Sequence, residues 1–191
     1  MSAAKTGQML VVSGPSGAGK STICRALKEH SGVVFSVSAT TRPMREGEVD
    51  GRDYYFKTKE EFRTHIENGD FIEHAEVHGN LYGTLRQPMT DARDKGLTFL
   101  LEIDVQGALQ LKELGIEGLY VFIAPPDFET LRQRLVDRAT DTPEVIERRL
   151  KKANDEYNER HRYDHIVVNE DLADAIDEVF RIAGLERGAR T

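Results

Sequence analysis

Residues 9 to 23 read Met-Leu-Val-Val-Ser-Gly-Pro-Ser-Gly-Ala-Gly-Lys-Ser-Thr-Ile. Met9 to Val12 is an apolar, β-branched run with the length of a buried strand. It stops at Gly14, and helix-forming residues run from Lys20 to His30. Between them stands Gly14-x-x-x-x-Gly19-Lys20-Ser21, a complete P-loop pattern in the strand–loop–helix setting that gives the pattern its meaning. Gly14, Gly17 and Gly19 allow successive backbone N–H groups to turn inward as an anion nest. The following helix aims its unsatisfied N–H groups and positive dipole end at the same point. Lys20 adds a mobile cation for the β- and γ-phosphates, and the Ser21 hydroxyl is a ligand for Mg²⁺. Gly14, Pro15, Ser16, Gly17, Ala18, Gly19, Lys20, Ser21 and Thr22 are therefore the expected seat of a nucleoside triphosphate. An accidental Gly-rich turn is the bland alternative, and it explains neither the Lys-Ser pair nor its setting.

The 191 residues suit one domain with small insertions, large enough to bury a core. No apolar run approaches the roughly 20 residues of a membrane span, and Met1 to Gln8 lacks the apolar centre of a signal peptide. A single Cys24 excludes an internal disulfide and a cysteine zinc cluster; a small buried thiol is its expected role. A net charge of −7 argues against a general nucleic-acid surface, so the locally clustered basic residues serve local anions. A cytoplasmic setting, with neither a membrane nor a nucleic acid as partner, is expected.

Beyond the P-loop helix, Val33 to Val37 forms a second short strand. Ser38 to Arg45 is polar, is broken by Pro43, and reads as loop that continues past Gly47 and Gly51. Asp53 to Phe56 is a small strand, and Lys59 to Asn68 an amphipathic helix carrying Phe62 and Ile66 on one face. Residues 71 to 86 suggest two strands joined at Gly79-Asn80. From Pro88 onward strands and helices alternate: helix 88–95, strand 97–103, helix 105–114, strand 119–123, helix 127–138, helix 142–160 with Pro143 in its first turn, strand 165–168 and helix 172–184. Such alternation implies a parallel sheet whose ligands lie at the strand C-termini. The fold class expected is α/β, a P-loop NTPase core flanked by helices.

Glu102 and Asp104 close an apolar strand, where an acid beside a P-loop holds Mg²⁺ or its waters. Alternation along a strand puts 102 and 104 on one face, which favours a joint role over simple strand-end solvation. Ser21 and Glu102 are the expected metal ligands.

Taken together the chain resembles the guanylate kinase family. The likeness is carried by 13–22, by Ser-Val-Ser-Ala-Thr-Thr-Arg at 36–42 and by Gly-Glu-Val-Asp-Gly-Arg-Asp-Tyr at 47–54. It continues through Phe-Ile-Glu at 71–73, Gly-Asn-Leu-Tyr-Gly-Thr at 79–84, Leu-Glu-Ile-Asp-Val-Gln-Gly at 101–107 and Phe-Ile-Ala-Pro-Pro at 122–126. The resemblance implies a single domain over 1–191 with three parts: a core (8–37, 87–130, 160–191), a small β-rich GMP-binding insertion (38–86) and a helical lid (131–159). It implies ATP and GMP as substrates and Mg²⁺ as cofactor, in Mg²⁺-dependent transfer of the ATP γ-phosphoryl group to GMP within purine metabolism. It also implies that Arg42, Arg45, Tyr54 and Tyr82 grip the GMP phosphate, and that Ser38, Glu73, Thr84 and Asp104 contact guanine. Arginines and phenols supply directional donors to a phosphate dianion. Guanine N1–H and N2–H₂ are adjacent donors that one acceptor-only carboxylate, Glu73, can take together. Adenine would leave that carboxylate unmet, a discrimination that reaches about 10⁴.

By the same resemblance Arg134, Arg138 and Arg149 are lid arginines that, with Lys20 and Arg42, neutralise the moving phosphoryl, and Asn169 approaches the adenine. Arg132 and Arg148 read as solvated helix residues. Glu102 and Thr84 stand where many members have Asp and Ser, which preserves each functional group. A non-catalytic interaction module of the same family would be expected to have a degraded P-loop, and this one is intact. Another nucleoside monophosphate kinase would need a different base pocket, and a regulatory GTPase would need an Asn-Lys-x-Asp motif that the chain lacks. The sequence leaves a homo-oligomer open.

Overall fold

The computed structural model describes residues 7–77, 79–136 and 143–187. Five strands form one sheet: β1 (Met9–Ser13), β2 (Val33–Phe35), β7 (Thr98–Glu102), β8 (Leu119–Ala124) and β9 (His165–Val168). Their spatial order is β2-β7-β1-β8-β9, with every neighbouring pair parallel. A parallel sheet is covered on both faces, which is why its central strands read as unbroken apolar runs rather than alternating ones. Leu10 and Val12 face one side, against Ile23, Cys24 and Leu27 of α1 (Lys20–Lys28) and Ala175, Ile176 and Val179 of α7 (Leu172–Ile182). Met9 and Val11 face the other, against Ala92 of α3 (Arg86–Asp94) and Val105, Ala108 and Leu111 of α4 (Val105–Glu113). The connection from β1 runs to β2 on one side, whereas that from β7 crosses β1 to β8 on the other, so the two run in opposite directions across the sheet. The crevice at the C-terminal end of β1 is the switch point where such sheets bind ligands.

A second sheet lies within residues 39 to 85. Its order is β4-β3-β6-β5, from β3 (Ala39–Thr40), β4 (Tyr55–Phe56), β5 (Phe71–Val77) and β6 (Asn80–Leu85). β5 and β6 are antiparallel, as the Gly79-Asn80 signal implies, and β3 pairs antiparallel with β6. Over this sheet packs α2 (Lys59–Glu67), whose start is fixed by a reciprocal capping box between Thr58 and Glu61. Phe62 is fully buried and stacks on Phe71 at 4.5 Å, forming with Ala39 a small core separate from those of the main sheet. A fourth core joins α5 (Phe128–Val136) to α6 (Pro143–Asn158) through Leu131, Leu135, Ile146 and Ala153. The ion pair Arg132–Glu147, at 2.6 Å, bridges the same two helices at their solvated surface.

Three expectations change. Residues 38–45 are not all loop: Ala39 and Thr40 form β3 and are buried, because β6 supplies hydrogen-bond partners that no local pattern announces. The strand expected over 53–56 contracts to Tyr55–Phe56, since Asp53 accepts from Val49 N–H inside the preceding turn. Asp104 does not continue a strand. It caps α4, its carboxylate accepting from Gly107 N–H at 2.8 Å, so alternation does not relate it to Glu102. Cys24 is buried as expected. Among the described residues no helix is long and apolar enough to cross a membrane.

Candidate active site

The loop between β1 and α1 has φ of +140° at Gly14, +92° at Gly17 and +100° at Gly19. Such left-handed values are what an anion nest requires, since they let successive N–H groups of the loop turn inward. Gly19 also occupies the N-cap of α1, and no side chain caps the helix there. The first-turn donors are thus presented to whatever sits in the nest. A side chain at Gly14 would meet the Ile123 carbonyl at 2.2 Å, and one at Gly19 the Asn169 amide at 2.1 Å, so both must lack a Cβ. Lys20 reaches back along the loop and donates to the carbonyls of Gly14 (2.7 Å) and Pro15 (2.9 Å). Burial pushes its pKa down, while Glu102 and Glu156 of α6 pull it up.

Ser21 donates its hydroxyl to Glu102 Oε1 at 2.6 Å, joining the first turn of α1 to the tip of β7. A hydroxyl and a carboxylate at one point are hard oxygen donors, and their chemistry fits Mg²⁺, which takes few protein ligands and completes its shell with phosphate and water. Among the described residues no cluster of three His, Cys, Asp or Glu could hold a metal ion by itself. Glu102 also faces Cys24, whose thiol burial pushes well up, consistent with an inert packing role.

On the other side of β7 a cleft of about 450 Å³ opens between the two sheets. Ser38, Tyr54, Glu73, Tyr82 and Asp104 line it, together with Gln106 and Gln110 of α4. Thr84 is fully buried beneath and donates to Glu73 Oε1 at 2.6 Å. Burial raises the Glu73 pKa, and the Thr84 hydroxyl opposes that shift. Tyr54 and Tyr82 meet edge to face at 6.0 Å. Arg42 lies over the Tyr54 ring at 5.3 Å and donates to Glu48 at 2.7 Å. Arg45 is exposed at the rim of the same turn. Residues expected at the GMP phosphate and at guanine are thus brought together.

Behind the P-loop, buried Asn169 donates through Nδ2 to Ala18 O at 2.7 Å, and Arg134 donates to Asn169 O at 3.0 Å. Arg134 Nη1 and Asn169 Oδ1 are buried without a hydrogen-bond partner. Arg149 is half-buried on α6. Arg138 lies outside the described residues. Sequence reasoning missed four residues at the site. Glu48 and Gln110 carry no periodic signal. Glu156, raised by burial, reaches Lys20 and Asp104 from α6. Tyr163, pushed up to about 12 by burial, donates to Ser13 at the foot of the P-loop at 3.1 Å.

A parallel sheet with a P-loop at the tip of its middle strand, facing a second polar cleft across the β7 tip, defines the class of P-loop nucleotide kinases. The family model described as guanylate kinase matches residues 6–184. A guanylate kinase of Clostridium perfringens (strain SM101 / Type A) is 48% identical over 182 residues, covering 95% of this chain and 84% of that protein. A guanylate kinase of Symbiobacterium thermophilum is 48% identical over 186 residues, covering 97% and 88%. The crystal structure of guanylate kinase from Anaplasma phagocytophilum superposes with a TM-score of 0.72 at 39% identity, covering 97% of this chain and 88% of that one. The chain belongs to the guanylate kinase family, whose members are ATP-dependent phosphotransferases that convert GMP to GDP.

Proposed function

We propose that this chain transfers the γ-phosphoryl group of ATP to GMP, with residues 38–86 as the GMP-binding part, 131–159 as the lid, and the rest as core. The observation that carries the reading is the Glu73–Thr84 pair on the cleft opposite the P-loop. There a carboxylate, already holding one donor, offers its remaining lone pairs to the two adjacent donors of guanine. Ser38 and Asp104 line the same cleft and complete the base contacts, while Arg42, Arg45, Tyr54 and Tyr82 hold the monophosphate.

An acceptor phosphate oxygen attacks the γ-phosphorus as the bond to the β–γ bridging oxygen breaks. ADP leaves with that electron pair, and no general base is required. Phosphoryl transfer asks the protein chiefly for alignment and for positive charge at the moving group. The P-loop over Gly14 to Thr22, through its free backbone N–H groups and Lys20, holds the donor phosphates. Ser21 and Glu102 would hold Mg²⁺, which when bound would neutralise charge on the donor phosphates. Arg134, Arg138 and Arg149 supply further cations as the lid closes and excludes water. Asn169, through its hold on Ala18, shapes the loop from the adenine side.

The test is ADP production from ATP and Mg²⁺ with GMP, AMP, CMP or UMP in turn. Turnover with GMP alone is the expected result. Turnover with a different monophosphate overturns the base assignment and leaves the P-loop chemistry standing. Folded protein inactive with all four is a binding module rather than a kinase.

A further inference from the structure

The arginine expected to grip the acceptor phosphate is held by an acid. Arg42 Nη2 donates to Glu48 Oε1 at 2.7 Å, and Arg42 Nη1 to its neighbour's carbonyl, Pro43 O, at 2.8 Å. The other carboxylate oxygen, Glu48 Oε2, accepts the backbone N–H of Arg45 at 2.7 Å. The turn closes on itself through Glu48 N–H to Arg45 O at 3.2 Å. The two side chains are 12% and 20% exposed, so this ion pair is half-buried. The Tyr54 and Phe56 rings pack against the guanidinium, at 5.3 and 5.7 Å. The Arg42 hydrogen bond, then that of Arg45, hold the Glu48 carboxyl below the usual range, so it is ionised in the neutral range.

An acid is costly beside a dianion site, because it repels the ligand and offsets one of two cations. Some other effect must outweigh that repulsion. A free arginine carries large rotamer freedom that binding must remove, and fixing it beforehand lowers that loss. One carboxylate here touches both residues, fixing the guanidinium of Arg42 and the backbone from which the Arg45 side chain projects. We propose that Glu48 is a positioning residue of the phosphate grip, a single acid that sets Arg42 and Arg45 so that the cleft selects a nucleoside monophosphate over the free nucleoside. The proposal rests on the reading of Arg42 and Arg45 as the acceptor-phosphate grip.

Glutamine cannot replace this acid. Both carboxylate oxygens accept, whereas an amide has one acceptor and turns an N–H₂ toward either the guanidinium or the Arg45 N–H. Glu48→Gln is expected to raise KM for GMP about tenfold with kcat changed less than about threefold, in line with loss of a charge-assisted pair. Guanosine, which has the base but no phosphate, should bind Glu48→Gln and the native protein alike. Glu48→Asp keeps the charge and should recover part of the GMP affinity.

The experiment measures GMP and guanosine affinity by calorimetry, with kcat and KM, for native protein, Glu48→Gln, Glu48→Asp, Arg42→Ala and the Arg42→Ala/Glu48→Gln pair. Selective loss of GMP in Glu48→Gln, with no further loss when Arg42 is already absent, supports the proposal. Equal loss of GMP and guanosine overturns it, because Glu48 then merely holds the insertion together. Additive losses in the double variant overturn it too, since Glu48 would not act through Arg42. If Arg42→Ala itself weakens GMP no more than guanosine, the grip reading falls. If Arg42→Ala is selective and Glu48→Gln is not, the grip stands and the role of Glu48 does not.

Discussion

Glu73, the acid proposed for the base site, carries a folding cost. Burial raises its pKa, which means the charged form is less welcome in the folded chain than in water. For such a group, stability falls as pH rises from the unfolded value through the raised one. Glu73→Gln removes that burden while its carbonyl oxygen can still accept from the Thr84 hydroxyl. The free variant is therefore expected to melt above the native protein at neutral pH in a thermal scan. Its affinity for GMP should drop about 10- to 100-fold, the range for losing a hydrogen bond to a charged acceptor. The acid must be ionised to accept both guanine donors, so the native protein should lose guanosine affinity as pH falls through the raised pKa. Guanosine is the right probe because the GMP phosphate itself titrates near pH ~6. Glu73→Gln should show a flat profile, and a profile as steep as the native one would remove Glu73 from the base site. Both carboxylates at and just beyond the β7 tip were legible in the sequence as functional, and the family resemblance already divided them between metal and guanine; strand alternation, which put them on one face, did not. Glu102 meets Ser21 while Asp104 faces the other cleft, because the helix begins at 105 and ends the alternation.

At the scale of elements, the junction of β1 and α1 is the part most completely legible, since its residues are constrained by backbone geometry as well as by chemistry. Gly19 illustrates both. Its φ of +100° disfavours any side chain, and a Cβ would lie 2.1 Å from the Asn169 amide nitrogen that holds Ala18 O. Gly19→Ala should therefore cost about 1–3 kcal/mol in backbone strain and displace Asn169 from the loop. The expected outcome is a lowered Tm and weakened ATP binding with GMP binding kept, checked by calorimetry on each nucleotide separately. Unchanged ATP affinity would show that the Asn169 contact does not shape the loop. By contrast β3 was illegible. Ala39 and Thr40 have no run of their own, and what makes them strand is pairing with Gly83 and Tyr82, forty-odd residues away. Arg134 is a middle case: the residue stood out, yet its hydrogen bond to the Asn169 carbonyl depends on β9 ending beside α5.

Across the whole molecule the separation of cores governs which parts can move independently. The two faces of the five-stranded sheet share β1, β7 and β8, so they stand or fall together. The second sheet rests on its own small cluster of Ala39, Phe62 and Phe71, linked to the main body by Ile72, which packs into the sheet's other core. A unit with so few buried side chains opens at lower free energy than the main sheet. Phe62 is fully buried and stacked on Phe71, so Phe62→Ala should remove about 3–5 kcal/mol. That loss is large for the cluster and modest for the five-stranded core. The expected result is a protein that keeps the P-loop and its ATP affinity but no longer binds GMP. Amide exchange should lose protection in α2, β5 and β6 while β1, β7 and β8 stay protected. Loss of protection everywhere, with ATP binding gone as well, would mean that Ile72 couples the two parts into one cooperative unit. In that event the two substrates could not be bound by independently moving bodies, and closure over GMP would have to be carried by α5 and α6 alone.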